Sequence, residues 1–245
     1  MSLLKRHWLV GILALVFAIP ALADEPKKEA KPNDAVVPAP RDPNWVKRSE
    51  GFNEEIKKRD KVDLVLIGDS ITDGWRGKEI AKVWKEFYEK RNAVNLGIGG
   101  DRTQHVLWRL DHGNIDGIKP KLAVLMIGTN NSKDNTSEQI AEGVKAIVEK
   151  LRTKLPETKV LVLAIFPRGK DNEDKLRKVN VGANAIIAKL ADDKNVFFLD
   201  IGPKFTDASG NLSKEVMPDL LHLNEKSYRT WAESTEEMVK KLMGE

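Results

Sequence analysis

Short apolar runs alternate with longer amphipathic segments along most of this chain, and this alternation constrains the fold most strongly. Each run is too short for a buried helix and lacks the polar alternation of a strand with one wet face. Such runs indicate strands of a parallel sheet that is covered on both faces. The five predicted strands are 63–68, 93–97, 122–127, 160–165 and 195–200.

The segments between these strands carry apolar residues at helical spacing. Thr136 and Gln139 form a capping-box pattern, and Asn224 is a candidate cap for the last helix. The predicted helices are 44–60, 78–91, 103–110, 136–154, 176–192 and about 225–243. The order predicts a three-layer α/β/α sandwich around a five-stranded parallel, doubly wound, flavodoxin-like sheet, with a domain spanning 44–245.

The first 43 residues do not fit this pattern. Basic residues at 5–7, an apolar run at 8–19 and an A-x-A end at Ala23 predict a secretory signal peptide over 1–23. A membrane anchor is the alternative, but the run is short for a membrane span, so no stable anchor is expected after cleavage. The Pro- and Lys-rich segment 24–43 predicts a disordered linker. The mature protein is therefore predicted to be exported, either periplasmic or secreted.

Charge and cysteine content exclude several classes of protein. Removing Lys5 and Arg6 with the leader lowers the formal net charge from +4 to +2, and the charges are interspersed. No basic stripe favours a nucleic-acid partner. The chain contains no cysteine, so neither a disulfide framework nor lipid attachment to cysteine is available.

Polar residues and glycines cluster just after the predicted strands. In an open parallel sheet, ligands bind beyond the carboxyl ends of the strands. The segments that reach this edge are Gly68-Asp-Ser70, Asn95-Leu-Gly-Ile-Gly-Gly-Asp101, Gly128-Thr-Asn-Asn131 and Asp219-Leu-Leu-His222. They bring together a hydroxyl, bare backbone amides, a carboxamide and an Asp/His pair.

This set of groups matches what acyl transfer requires. A serine is a weak nucleophile until a base takes its proton, and an aspartate can orient a histidine for that role. Ser70, His222 and Asp219 are the candidate triad. The oxyanion of the intermediate needs preorganised donors, for which Ser70 N–H, Gly100 N–H and the Asn130 amide are candidates.

These blocks resemble the SGNH (GDSL-type) esterase and lipase family, and within it the platelet-activating-factor acetylhydrolase branch. The long second block, Asn95 to Leu110, is the most specific piece. The resemblance implies Ser70 as nucleophile, Gly100 and Asn130 in the oxyanion hole, and Asp219 and His222 as the rest of the triad. It also allows a homodimer.

Other readings stay open at several positions. Ser70 could be a simple helix cap, and Asp69 could serve a turn. Asp69, Trp75 and Arg168 are candidate substrate-binding residues. The roles of three further residues are left open: Arg102, His105 and Arg109. Gly97-Ile-Gly-Gly100 lacks the glycine spacing of a dinucleotide loop, and histidines are too few and scattered for a metal cluster, so no cofactor or metal is predicted.

The predicted function is therefore a serine esterase that hydrolyses short-chain acyl esters, with acetyl as the favoured acyl group. An acetylated carbohydrate is the first substrate choice because export is predicted, and a lipid ester is the second. A non-catalytic binding module on the same scaffold is less favoured, because every catalytic block is present. A receiver-type signalling domain is rejected, since Gly128 and Thr129 stand where the phosphoacceptor aspartate would be.

Overall fold

The computed structural model describes residues 32–245, which contain a five-stranded parallel sheet and seven α-helices. The strands are β1 Leu64–Gly68, β2 Ala93–Gly97, β3 Leu122–Met126, β4 Lys159–Leu163 and β5 Val196–Leu199. The helices are α1 Pro43–Lys57, α2 Ser70–Asp73, α3 Ala81–Phe87, α4 Thr103–Asp111, α5 Ser137–Lys154, α6 Lys175–Ile187 and α7 Glu225–Met243.

The strand order is β2-β1-β3-β4-β5, and all neighbouring strands are parallel. This is the flavodoxin-like order, and the three-layer fold predicted from the sequence is confirmed. The chain leaves β1 toward β2 on one side and returns past β1 to β3 on the other. A crevice therefore opens beyond the carboxyl ends of β1 and β3, where Ser70 and Asn130 lie.

Two hydrophobic layers cover the sheet, one on each face. Alternate strand residues such as Val65 and Ile67 pack against α1, α4, α5 and α6. Their neighbours Leu64 and Leu66 pack against α7 and the α2–α3 region. The central strands are buried along their whole length, which explains their continuous apolar sequence.

The predicted helices and strands are present with small shifts at their ends. Thr136 caps α5 in the reciprocal capping box, and Asn224 caps α7 by accepting from Ser227 N. The region 78–91 differs most, because α3 is short and single turns of 3-10 helix flank it.

Residues 33–42, predicted from composition to belong to a disordered linker, are folded against the domain. Ala35 is buried, its carbonyl accepts from Thr103 Oγ1 at 2.8 Å, and Ala39 N donates to Gln104 O at 3.2 Å. Asp42 then caps α1. A proline-rich segment can be ordered in this way when side chains and loops elsewhere satisfy its backbone groups. The domain therefore begins about ten residues earlier than predicted.

The predicted signal peptide and residues 24–31 lie outside the described residues, so export stays a prediction. Within residues 32–245, no helix combines the length and the apolar character that a membrane span requires.

Candidate active site

Tight packing at the carboxyl end of the sheet places Ser70 beside the loop after β2. A Cβ at Gly97 would collide with the backbone of Thr72 and Asp73, so only glycine allows α2 to lie this close to β2. A Cβ at Gly99 would lie 3.8 Å from Ser70 Cβ. The serine therefore faces the glycine-rich loop directly.

Ser70, His222 and Asp219 form a continuous chain of hydrogen bonds. Ser70 Oγ lies 2.8 Å from His222 Nε2, and His222 Nδ1 lies 2.6 Å from Asp219 Oδ2. With the proton on Nδ1 held by the carboxylate, the Nε2 lone pair points at the hydroxyl. This is the arrangement in which histidine can remove the serine proton.

The loop before α7 sets the position of the histidine. Asp219 Oδ1 accepts from His222 N at 2.7 Å and from Leu221 N at 3.1 Å, so the carboxylate holds both the backbone and the ring of the histidine. Leu220 has a φ of +59°, a left-handed conformation that is strained for leucine. Its carbonyl accepts from Gly169 N at 2.9 Å, which ties the loop to the segment after β4.

This side of the site is open to solvent. The side chains of His222 and Asp219 are 44% and 55% exposed, and Ser70 is half-buried. Partial burial acts to raise the pKa of Asp219, but hydrogen bonds from the backbone and ring of His222 outweigh it and hold the pKa below its ordinary value. The acid thus stays ionised, so it can hold the Nδ1 proton of His222.

The three candidate oxyanion donors lie on the same edge of the sheet. Ser70 is the first residue of α2, so its N–H has no acceptor within that helix. Gly100 has a φ of +80°, which favours glycine, and its N–H has no acceptor within the described part of the chain. Asn130 Nδ2 donates one hydrogen to Asp101 O at 2.9 Å, which leaves its second hydrogen for a ligand.

Asn131 links the loop after β3 to the start of α4. Its Oδ1 accepts from Thr103 N at 3.0 Å, and its Nδ2 lies 3.1 Å from Gln104 Oε1 and 3.0 Å from Asn135 Oδ1. An aspartate could not donate to these oxygens. The carboxamide therefore holds the Asn130 loop and the Gly100 loop in a fixed relation.

Comparison with known proteins identifies the family of this chain. Residues 66–230 match the model of the GDSL-like Lipase/Acylhydrolase family, which covers more than half of the chain. The chain belongs to this family. Membership makes the protein a carboxylic ester hydrolase.

Similar proteins include curated relatives of known sequence and solved structures of similar fold. The chain is 36% identical over 205 residues to the platelet-activating factor acetylhydrolase IB subunit alpha2 of Rattus norvegicus, covering 83% of this chain and 87% of that subunit. It is 36% identical to the alpha1 subunit of Homo sapiens, with 83% and 86% covered. The acetylxylan esterase Axe2 of Geobacillus stearothermophilus has a similar fold, with a TM-score of 0.58, 16% identity and coverage of 75% of this chain and 94% of that one.

In this GDSL-like hydrolase, Asp69 is not placed to contact substrate. It is fully buried, and its Oδ1 caps α2 by accepting from Ile71 N at 3.0 Å. Burial raises the pKa of Asp69 to about 7, and the bond from Ile71 opposes this only in part. The expectation of a substrate-binding role for Asp69 is corrected to a structural one beside Ser70.

Trp75 is also a core residue and does not line the catalytic crevice. Its ring is 2% exposed and packs on Tyr228 and Trp231 at centroid distances of 4.7 and 5.3 Å. It borders a cavity of about 530 Å³ at the β2 edge of the sheet, whose lining includes neither Ser70 nor His222. Trp75 follows Ser70 by only five residues, and its place in the core depends on the packing of α7.

Arg168 does lie at the edge of the candidate site. Its guanidinium donates to Thr129 O at 3.0 Å and to Thr129 Oγ1 at 3.2 Å, beside Asn130. Arg168 is half-buried, so a substrate-facing role remains compatible with its position.

Two residues whose roles the sequence left open lie in a charged network below the glycine-rich loop. Arg109 Nε donates to Asp101 Oδ2 at 2.9 Å, and both residues are fully buried. His105 packs edge-on against Trp45. Burial, together with the charge of nearby arginines, lowers the pKa of His105 to about 4, so the ring is neutral at pH 7. Arg102, whose role the sequence also left open, pairs with the exposed Asp134 at 2.5 Å.

Among residues 32–245, no three side chains of the metal-binding types come together as a metal site would require.

Proposed function

We propose that the protein is a serine esterase that releases short acyl groups, acetyl above all, from ester substrates. Ser70 is the nucleophile, His222 the general base and Asp219 the residue that orients it. The observation that carries this proposal is the unbroken chain of bonds from Ser70 Oγ through His222 to Asp219, at 2.8 and 2.6 Å.

The first half of the reaction acylates the enzyme. Ser70 Oγ attacks the ester carbonyl carbon while His222 Nε2 takes the hydroxyl proton. The carbonyl π electrons move to oxygen, and the tetrahedral oxyanion forms. When it collapses, the bond to the alcohol oxygen breaks and His222 returns the proton to that oxygen, which frees the alcohol and leaves an acyl-Ser70 ester.

The oxyanion is stabilised by donors that already stand at the loop ends. Ser70 N–H, Gly100 N–H and the second hydrogen of Asn130 Nδ2 supply them. Because these donors are fixed by the fold, they need little reorganisation when charge develops.

The second half of the reaction is the same chemistry with water. His222 takes a proton from water, the hydroxide attacks the acyl-Ser70 carbon, and the carboxylic acid leaves as Ser70 recovers its proton. The solvent-exposed His222 and Asp219 give water a direct approach to this step.

An acetylated carbohydrate is the substrate class that we favour. The exposed side of the site leaves room for a bulky alcohol half, and the sequence of residues 44–245 has no long apolar insertion that could form a lid or an acyl tunnel. The fold shared with an acetylxylan esterase and the predicted export of the chain support the same choice.

A lipid ester is the second candidate. It is supported by the 36% identity to subunits named for platelet-activating factor acetylhydrolase activity. Because these relatives are named acetylhydrolases, a lipid substrate could also carry an acetyl group, so the alcohol half separates the two classes. Acetate release from acetylated xylan is therefore compared with acetate release from an acetylated lipid.

The test is kcat/KM of the full chain on p-nitrophenyl esters from acetyl to octanoyl, together with Ser70→Ala. We expect the rate to fall steeply beyond acetyl and Ser70→Ala to lower kcat by about five to six orders of magnitude, as loss of a triad serine does elsewhere. Release of acetate from acetylated xylan then tests the carbohydrate assignment.

Ser209→Ala is the matched control, because Ser209 lies in an exposed turn and only its backbone N–H bonds to Asp207. Full activity in a folded Ser70→Ala variant would end the triad assignment. A rate maximum at longer acyl chains would favour the lipid ester over the carbohydrate.

A further inference from the structure

Both backbone groups of Gly99 are held by charged side chains from the amino-terminal half of the domain. Gly99 O accepts from Arg41 Nη1 at 2.8 Å, and Gly99 N–H donates to Asp73 Oδ2 at 3.2 Å. Asp73 is itself paired with Arg48 at 2.5 Å through its other oxygen. We call Arg41, Asp73 and Arg48 the Gly99 clamp.

The bond from Arg41 acts on the same peptide unit that carries the Gly100 N–H. In a planar trans peptide, the C=O of Gly99 and the N–H of Gly100 point in opposite directions. Holding the oxygen from the Arg41 side therefore fixes the direction of the N–H on the opposite side. A positively charged donor on the carbonyl also polarises the peptide and strengthens its N–H as a hydrogen-bond donor.

Arg41 is held in place although its side chain is 32% exposed. It lies in the segment 33–42, which is fixed to the domain at Ala35 and Ala39, and it directly precedes Asp42, the cap of α1. Its guanidinium also lies 3.5 Å from the buried carboxylate of Asp101, one residue after Gly100. Two contacts, one with Gly99 O and one with the Asp101 carboxylate, therefore hold the guanidinium against the glycine-rich loop.

We propose that Arg41 is a positioning residue of the oxyanion hole: it holds the Gly99 carbonyl so that the Gly100 N–H is aimed and polarised toward the oxyanion. This inference rests on the proposed esterase function. Arg41 makes no contact with the reacting atoms and acts through one peptide unit.

The proposal predicts a kcat effect without a KM effect. The oxyanion exists only after Ser70 attacks, so a weaker Gly100 donor raises the barrier without changing binding of the ester. Losing a whole oxyanion donor lowers kcat by about a hundred-fold or more, which we expect for Asn130→Ala. Arg41 acts on one donor indirectly, so we expect Arg41→Met to lower kcat by about ten-fold, less than deletion of a donor.

The experiment measures kcat and KM on p-nitrophenyl acetate for wild type, Arg41→Met, Arg41→Lys and Arg229→Met, with Ser70→Ala as the inactive reference. Methionine keeps the length of the side chain but cannot donate, whereas lysine can restore a charged donor to Gly99 O. We expect Arg41→Lys to recover part of the lost kcat. Arg229 is the matched control, because its side chain is 40% exposed and it pairs with Glu86 at 2.8 Å.

Each outcome supports or overturns the proposal. A kcat of Arg41→Met equal to that of Arg229→Met, or a change in KM with kcat intact, overturns the positioning role. If Arg41→Met does not fold, Arg41→Gln takes its place, because its amide is shorter and carries no charge to polarise the Gly99 peptide: a lower kcat at unchanged KM supports the role, and a wild-type kcat overturns it. Activity in Ser70→Ala would instead overturn the proposed function, so the two failures are distinct.

Discussion

Two buried arginines lie at opposite ends of the sheet, and their carboxylate partners differ in exposure to solvent. Arg109 lies at the carboxyl end, where its guanidinium pairs with Asp101 and approaches Gly68 O at 3.5 Å. Arg91 lies just before β2, at the amino end, and pairs with Glu236 at 2.8 Å and Glu245 at 2.6 Å. The arginine side chain is only 1% exposed in both cases, but the partners differ.

The carboxylates differ in their access to water. Asp101 is fully buried, and burial raises its pKa above the ordinary value although Arg109 opposes this. Glu236 and Glu245 keep 21% and 31% exposure, and the hydrogen bonds from Arg91 lower the pKa of both.

The difference shows where this fold accepts an electrostatic cost. Removing both charges of a pair from water has a large desolvation free energy. A pair whose carboxylate keeps contact with water avoids most of that penalty. The fully buried pair, Arg109 with Asp101, lies directly below the glycine-rich loop, where Asp101 O also accepts from Asn130 Nδ2 at 2.9 Å. The partly exposed pairs of Arg91 with Glu236 and Glu245 join the end of α7 to the start of β2, away from Ser70.

Arg109→Met is expected to give the largest effect. It leaves the buried Asp101 without its main counter-charge, and breaking a buried pair in this way costs about 3–5 kcal/mol of the free energy of unfolding. Denaturant unfolding measures this loss. We also expect kcat to fall in the folded fraction, because Asp101 shares the loop of Gly100. An unchanged free energy of unfolding would contradict the assignment of Asp101 as the dependent partner.

Arg91→Met is expected to have a smaller effect, confined to stability. Its partners can turn to water, so the loss corresponds to charged hydrogen bonds, about 2 kcal/mol. The same denaturant series measures it, and kcat on p-nitrophenyl acetate should match the wild type. A clear fall in kcat of a folded Arg91→Met variant would contradict the expectation that only the Arg109 end of the sheet affects catalysis.

The sheet could be predicted from sequence because each strand carries its own signal. The runs 64–67 and 122–127 are apolar throughout, and a parallel sheet buries such strands on both faces. The parallel arrangement of the strands also predicts that Ser70, Asn130 and His222 lie at the carboxyl edge of the sheet. The assignment of an Asp219–His222 pair needed only local spacing.

The Gly99 clamp could not be predicted, because its partners are far apart in sequence. Arg41 contacts a loop 58 residues away, and the composition of its own segment is that of a flexible linker. Asp69 and Trp75 were placed near substrate for a related reason. Both lie within five residues of Ser70, the proposed nucleophile, whereas the burial of Trp75 depends on Tyr228 and Trp231 of α7, which local sequence does not reveal.

The smallest predicted effect is a difference in how stability depends on pH at the two ends. Burial raises the pKa of Asp69 from 3.8 to about 7, so the folded protein holds a proton there that the unfolded chain releases. The stabilisation from this proton is complete below about pH 4 and is lost as the pH rises through about 7. Asp69→Asn keeps the acceptor for Ile71 N and cannot titrate. Its Tm relative to wild type should therefore rise from pH 4 to pH 8.

Glu236→Gln is the opposite case and serves as the control. The pKa of Glu236 is lowered by the hydrogen bond from Arg91, so its stabilisation is present above the ordinary value of 4.5 and is lost as the pH falls through the lower value. The deficit in Tm of Glu236→Gln should therefore shrink in acid, whereas the relative Tm of Asp69→Asn should grow in base. Thermal unfolding followed by circular dichroism between pH 3 and pH 8 measures both. If the two variants shifted in the same direction, burial would not distinguish the carboxyls at the two ends of the sheet.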